Sequence, residues 1–166
     1  MMMMYRIAAA STVCLLASPA LLADGADPQD KYAWGENIGW TNWADSGDGA
    51  EAACLDADHL EGFVWGENVG FVNLGNGDGP YTNTDGLDFG VNIDPVTGEA
   101  SGLAWGENIG WINFGTTPFV GTDDGARYDF ADDRFRGFAW GENVGWINLD
   151  DDVNFVSLNA GASCPG

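Results

Sequence analysis

One stretch of sequence, written four times, constrains what this chain can fold into. It reads Tyr32-Ala-Trp-Gly-Glu-Asn-Ile-Gly-Trp-Thr-Asn-Trp43 at its first appearance. It returns as Phe63-Val-Trp-Gly-Glu-Asn-Val-Gly-Phe-Val-Asn-Leu74, as Leu103-Ala-Trp-Gly-Glu-Asn-Ile-Gly-Trp-Ile-Asn-Phe114, and as Phe138-Ala-Trp-Gly-Glu-Asn-Val-Gly-Trp-Ile-Asn-Leu149. Copies this alike within 166 residues mark an architecture built by setting one unit against the next.

Each copy reads as a tight β-hairpin. Trp65 ends one strand, Gly66, Glu67 and Asn68 turn the chain, and Val69 begins the next. Gly and Asn accept the positive φ that such turns require, and the flanks are aromatic and β-branched, as strands are. In the first strand, large residues alternate with small ones: Phe63 and Trp65 flank Val64, and Phe138 and Trp140 flank Ala139. In the second strand, Trp111 shares a face with Asn113, while Ile112 and Phe114 share the other. Both faces are largely apolar, which predicts sheets covered on both sides. This places Trp34, Trp65, Trp105 and Trp140 in the core. Trp43, which has no Trp counterpart in the other copies, is then the candidate for surface contact.

Between the copies run Gly- and Asp-rich loops, a short alternating stretch and a turn. The stretch is clearest in Leu87-Asp-Phe-Gly-Val-Asn-Ile93, and the best-formed turn is Asp94-Pro-Val-Thr-Gly98. Each unit is therefore three strands. The chain begins its repeats with a lone hairpin and ends with a lone alternating segment, Val153–Leu158, which can pair beside that hairpin and complete a fourth unit. The expected fold is all-β, four three-stranded repeats closed into a small propeller-like ring with few exposed edges. A β-solenoid, a sandwich or a barrel are the alternatives.

Residues 1–23 have the pattern of a secretory signal peptide: Arg6 near the start, then an apolar stretch from Ile7 to Leu22. The expectation is a secreted chain, extracellular or periplasmic, with a single domain over 24–166 and no membrane insertion after cleavage. Two cysteines then remain, Cys54 and Cys164, and an oxidising compartment favours a disulfide between them. Closing a loop of that length is worth about 4–5 kcal/mol in the chain-entropy model.

The formal net charge is −21, which argues against nucleic acid and anionic membranes as partners. Halophilic surface chemistry and bound cations are both consistent with it. Ca²⁺ takes flexible oxygen ligands, and the loop carboxylates Asp45, Asp48, Asp78, Asp85, Asp123 and Asp124 are the candidate ligands. Their alternative is ordinary Asp-Gly turns. The repeated Glu36, Glu67, Glu107 and Glu142 are candidates for a ring of ligand contacts, or else face water. The amides of Asn42, Asn73, Asn113 and Asn148 lie on an otherwise apolar face and call for hydrogen-bond partners, most simply an inter-strand ladder. With His59 the single histidine, histidine triads and His-rich metal sites are nearly excluded.

The motif resembles a tandem repeat of secreted or surface bacterial proteins, of the form Gly-x-Ala-Trp-(Gly or Ser)-Glu-Asn-(Ile or Val)-Gly-Trp-(Ile or Val)-x-Phe. The resemblance spans essentially all of 24–166 and implies an extracellular β-repeat. Phe71, Thr41 and Lys31 depart from its pattern. The function expected is that of an exported, non-enzymatic scaffold, with a glycan or a cell-envelope component as partner. A glycan hydrolase using a carboxylate pair is the alternative.

Overall fold

Every motif copy is a hairpin whose three-residue turn is bracketed by two glycines, the second at the positive φ that favours glycine. The computed structural model describes residues 25–49, 51–115, 124–158 and 164. Residues 1–23, Asp123 and the side chain of Asp48 lie outside that description. The described residues form thirteen strands. They are β1 (Ala26–Gly35), β2 (Gly39–Asn42), β3 (Cys54–Asp56), β4 (His59–Gly66), β5 (Gly70–Gly75), β6 (Val91–Ile93), β7 (Ala100–Gly106), β8 (Gly110–Asn113), β9 (Arg127–Asp129), β10 (Arg134–Arg136), β11 (Phe138–Gly141), β12 (Gly145–Asn148) and β13 (Val156–Leu158). A 3₁₀ turn covers Ser46–Gly49.

The four hairpins β1–β2, β4–β5, β7–β8 and β11–β12 pair edge to edge, and β12 returns to pair with β1. The result is a closed antiparallel barrel of eight strands. Propeller blades would each have stood apart around an axis. Here the second strand of one hairpin bonds the first strand of the next, Thr41 opposite Gly66 and Val72 opposite Gly106. The sheet is therefore continuous and closes on itself, the barrel among the alternatives.

The alternating side chains explain why eight strands suffice. First strands turn Ala33, Val64, Ala104 and Ala139 inward, and second strands turn in Thr41, Val72, Ile112 and Ile147. Below them sits a layer of Trp43, Leu74, Phe114 and Leu149, all buried. At the turn end Ile38, Val69, Ile109 and Val144 fold in as a plug. Small residues facing large ones let a narrow barrel fill with side chains alone, and a void of about 20 Å³ is what remains among them. Glycine at 66 is required by that plug, since a Cβ there would lie 2.5 Å from Val69 Cγ2.

The third strand of each unit lies outside the barrel. β3 pairs with the first half of β4, β6 with that of β7, and β9 with β10, which runs straight on into β11. The register shifts at Gly62 of β4, and positive φ at Gly102 and Gly137 marks the same place in the next two units. At Gly62 the chain takes φ +84°, and a Cβ would meet Ala52 O at 2.2 Å. Lys31 stands at the equivalent place in β1, where the pairing also slips out of register. The fourth unit draws on both chain ends as expected, with Lys31 opposite Val156 and Ala26 opposite Leu158.

That seam is reinforced. Cys54 and Cys164 form a disulfide with Cα atoms 5.7 Å apart, spanning 110 residues. The buried Tyr128 hydroxyl has its one proton shared between two acceptors, Asp133 Oδ1 at 2.7 Å and the Leu158 carbonyl, and receives Leu158 N–H. Burial and Asp133 push that hydroxyl well above its ordinary range. Arg134 and Arg136 both reach Asp150, and Arg136 also pairs with Asp129 and Asp132.

Two local expectations differ. The alternating stretch from Leu87 forms a strand only at Val91–Ile93, with Leu87 89% exposed. Its first half is tied to the preceding loop instead: Asp88 accepts the N–H groups of Thr82 and Asn83, Gly90 N–H donates to Asn83 Oδ1, and Tyr81 anchors that loop through its hydroxyl to the Leu60 carbonyl at 2.9 Å. In the last segment Val153 is likewise exposed, and Asp151 accepts the N–H groups of Val153 and Asn154 in a turn.

Candidate functional site

The barrel wall assigns the tryptophans the reverse of what their sequence pattern suggested. The bulky side of each first strand faces out, because the narrow interior has room only for its Ala, Val and Gly. Trp34 is 41% and Trp65 39% exposed, and Trp105 is exposed too, with Trp140 half-buried. Trp43 is instead 3% exposed and packs on Phe114 and Phe135 inside the barrel. It is no surface contact. Its indole N–H donates to Thr41 Oγ1 at 3.3 Å, and that hydroxyl donates to the Ala33 carbonyl. The two departures of the first copy thus answer one another: a buried indole needs an acceptor, and Thr41 supplies it.

The outward aromatics form a belt. Trp34–Trp40, Trp65–Phe71, Trp105–Trp111 and Trp140–Trp146 are cross-strand pairs with ring centroids 4.9, 4.7, 4.6 and 4.5 Å apart. Each leading Trp also lies opposite an asparagine of the preceding hairpin: Asn148, Asn42, Asn73 and Asn113 respectively. These asparagines make no inter-strand ladder. Their Oδ1 atoms accept N–H groups two or three residues on, from Ala44 and Asp45, Gly75, Gly115 and Asp150, and so end the second strands.

The turn asparagines do something the sequence did not suggest. Asn68 Nδ2 donates to the Ile38 carbonyl at 2.9 Å, Asn108 to Val69 at 3.0 Å, Asn143 to Ile109 at 3.0 Å and Asn37 to Val144 at 3.0 Å. Each turn holds the one before it, and the fourth bond, from Asn37, joins the first copy back to the last. Positive φ falls on the second glycine of each turn, Gly39, Gly70, Gly110 and Gly145, rather than on these asparagines. The only signal in the sequence was the fourfold identity of the Asn itself.

The loop carboxylates are dispersed. Asp45 pairs with Lys31 Nζ at 2.5 Å and accepts from Asn42 Nδ2, and both contacts hold its carboxyl below the ordinary range. Asp85 accepts the N–H groups of Leu87 and Asp88. Asp78 is exposed and Asp124 half-buried. Among the described residues, the one group of three metal-ligating side chains is Cys54, Cys164 and Glu61, and its sulfurs are joined as the disulfide. His59 is buried, with Nδ1 3.0 Å from Asp58 and its ring edge-on to Tyr81.

Glu36, Glu67, Glu107 and Glu142 are exposed at the turns. Glu107 differs in its surroundings. With Glu51, Phe63, Phe71, Asn73 and Trp105 it lines an outer cavity of about 240 Å³ across β4, β5 and β7. A second cavity of about 330 Å³ adjoins it, sharing Glu51, Phe63 and Asn73 and adding Glu61. Burial raises the Glu61 carboxyl above its usual range, partly offset by His59. These two hollows bring aromatic faces and carboxylates together on the outside of the wall, and neither was legible as a group in the sequence.

No known family model matches the chain, and neither does any curated protein or solved structure.

Proposed function

We propose that this chain is an exported, non-enzymatic β-repeat scaffold that works through its outer surface, binding a glycan or envelope component outside the cytoplasm. The observation that carries the reading is the filled barrel. A void of about 20 Å³ holds no ligand beyond a water, so recognition falls to the wall, where the aromatic belt and the hollows are. The motif residues themselves serve the wall: glycines for the turns, asparagines for the ring, Ile and Val for the plug. A structural disulfide suits an oxidising compartment. Among the described residues no helix is long and apolar enough to cross a membrane.

The test is a glycan array together with a pull-down from envelope fractions. Retention that Trp105→Ala and Trp65→Ala weaken supports the reading. Hydrolytic turnover of a polysaccharide overturns it. A glycan hydrolase is the second reading, favoured by Glu61, whose raised pKa suits a general acid and which shares a hollow with Glu51. Glu61→Gln then abolishes turnover while leaving retention intact.

A further inference from the structure

We propose that the hollow across β4, β5 and β7 binds a small organic cation, a quaternary or methylated ammonium group. This rests on the outer wall being a binding surface and names the chemistry of one place on it. The lining consists of three aromatic residues, Phe63, Phe71 and Trp105, with two carboxylates, Glu51 and Glu107, and the amide of Asn73. Phe63 and Phe71 stand nearly at right angles, at 80° with centroids 6.1 Å apart. The two rings meet edge to face, and together with Trp105 they set aromatic rings beside carboxylates, the chemistry that recognises onium groups.

The molecule uses the same grouping elsewhere with its own cations. Lys31 Nζ lies 5.4 Å from the Tyr32 ring centroid and pairs with Asp45. Arg134 lies 3.6 Å over the Phe155 ring and pairs with Asp150. The hollow likewise sets aromatic rings beside carboxylates, and its lining contains no Lys or Arg. The volume of about 240 Å³ suits a small head group. The sign of charge follows from the two glutamates and from a chain of net charge −21, which draw cations and repel anions. Phe71 is where this copy departs from the Trp of the other three, and the smaller ring leaves more open space in the wall.

Tryptophan fluorescence and calorimetry with tetramethylammonium chloride, against sodium chloride at equal ionic strength, test this. Saturable binding of tetramethylammonium and not of sodium is expected. Phe71→Leu keeps bulk but removes the ring, and weakens binding about 5–30-fold. Glu51→Gln with Glu107→Gln weakens it further. Val96→Ala, at an exposed turn outside the belt, leaves it unchanged, with melting curves confirming that each variant is folded. Tetramethylammonium behaving like sodium overturns the proposal, as does an equal loss in Val96→Ala. If that happens while envelope retention persists, the cation site alone is wrong. If retention also fails, so does the reading of the wall as a binding surface.

Discussion

The two ends of the barrel are built on opposite principles. At the turn end four identical residues make four equivalent bonds, Asn37, Asn68, Asn108 and Asn143 each holding the neighbouring turn. At the loop end the equivalent positions vary in size and kind: Trp43, Leu74, Phe114 and Leu149 fill one layer, closed by a disulfide on one side and an arginine–aspartate network on another. A ring of reciprocal hydrogen bonds demands identity from every member, because a bond fixes donor and acceptor geometry. A packed layer demands only that volumes sum correctly. Repetition in this chain is strict where the interaction is directional and loose where it is not.

Four experiments bear on that contrast. Trp43→Ala opens the loop-end layer and strands Thr41; a loss of about 3–5 kcal/mol is expected in denaturant unfolding, above that of Leu74→Ala. Equal losses at the two positions would mean that the layer is as symmetric as the turns. Removing the disulfide by Cys54→Ser with Cys164→Ser is next, about 2–5 kcal/mol. Peptide-resolved hydrogen exchange should show faster exchange first in β13 and β3, with the turn end unchanged. Asn→Ala at 37, 68, 108 and 143 should each cost about 0.5–1.5 kcal/mol, and the four values should agree. A spread as wide as the loop-end layer's would break the comparison. The smallest effect is on acid stability. Backbone N–H groups hold the carboxyls of Asp94, Asp129 and Asp151 below 3.8. A lowered folded-state pKa stabilises above the unfolded value and loses that contribution as pH falls through the folded one. The decline therefore begins below about pH 4, and Asp94→Asn should flatten it slightly.

Legibility in the sequence followed the same division. The hairpins, the three-strand unit, the pairing of the last segment with the first strand and the disulfide could all be read, because turn residues, alternation and cysteine count are local signals. Barrel rather than propeller could not, because the choice rests on whether Thr41 bonds Gly66 across units, which no local pattern encodes. The tryptophans misled for a related reason. Hydrophobicity says that Trp65 should be buried, but the curvature of a closed eight-stranded wall leaves the inside only to Val64 and Gly66. Trp43 and Thr41 were each visible as departures from the motif, and only their contact shows that they are one feature. The outer hollow drew Glu51 from a variable loop, Phe71 and Glu107 from two separate copies, and Phe63 and Trp105 from two strands, a grouping that register alone creates.

The small inner residues of the first strands also limit how such a gene can change. In an open array of repeats a unit gained or lost by recombination alters length and little else. Here a fifth hairpin would widen the wall to ten strands around Ala33, Ala104 and Ala139, side chains too short to meet across it. A third alone would leave Ile112, Ile147 and their equivalents no room. The count of four is therefore fixed by the bore. Descendants of this chain can diverge copy by copy, but they cannot readily be lengthened or trimmed by one.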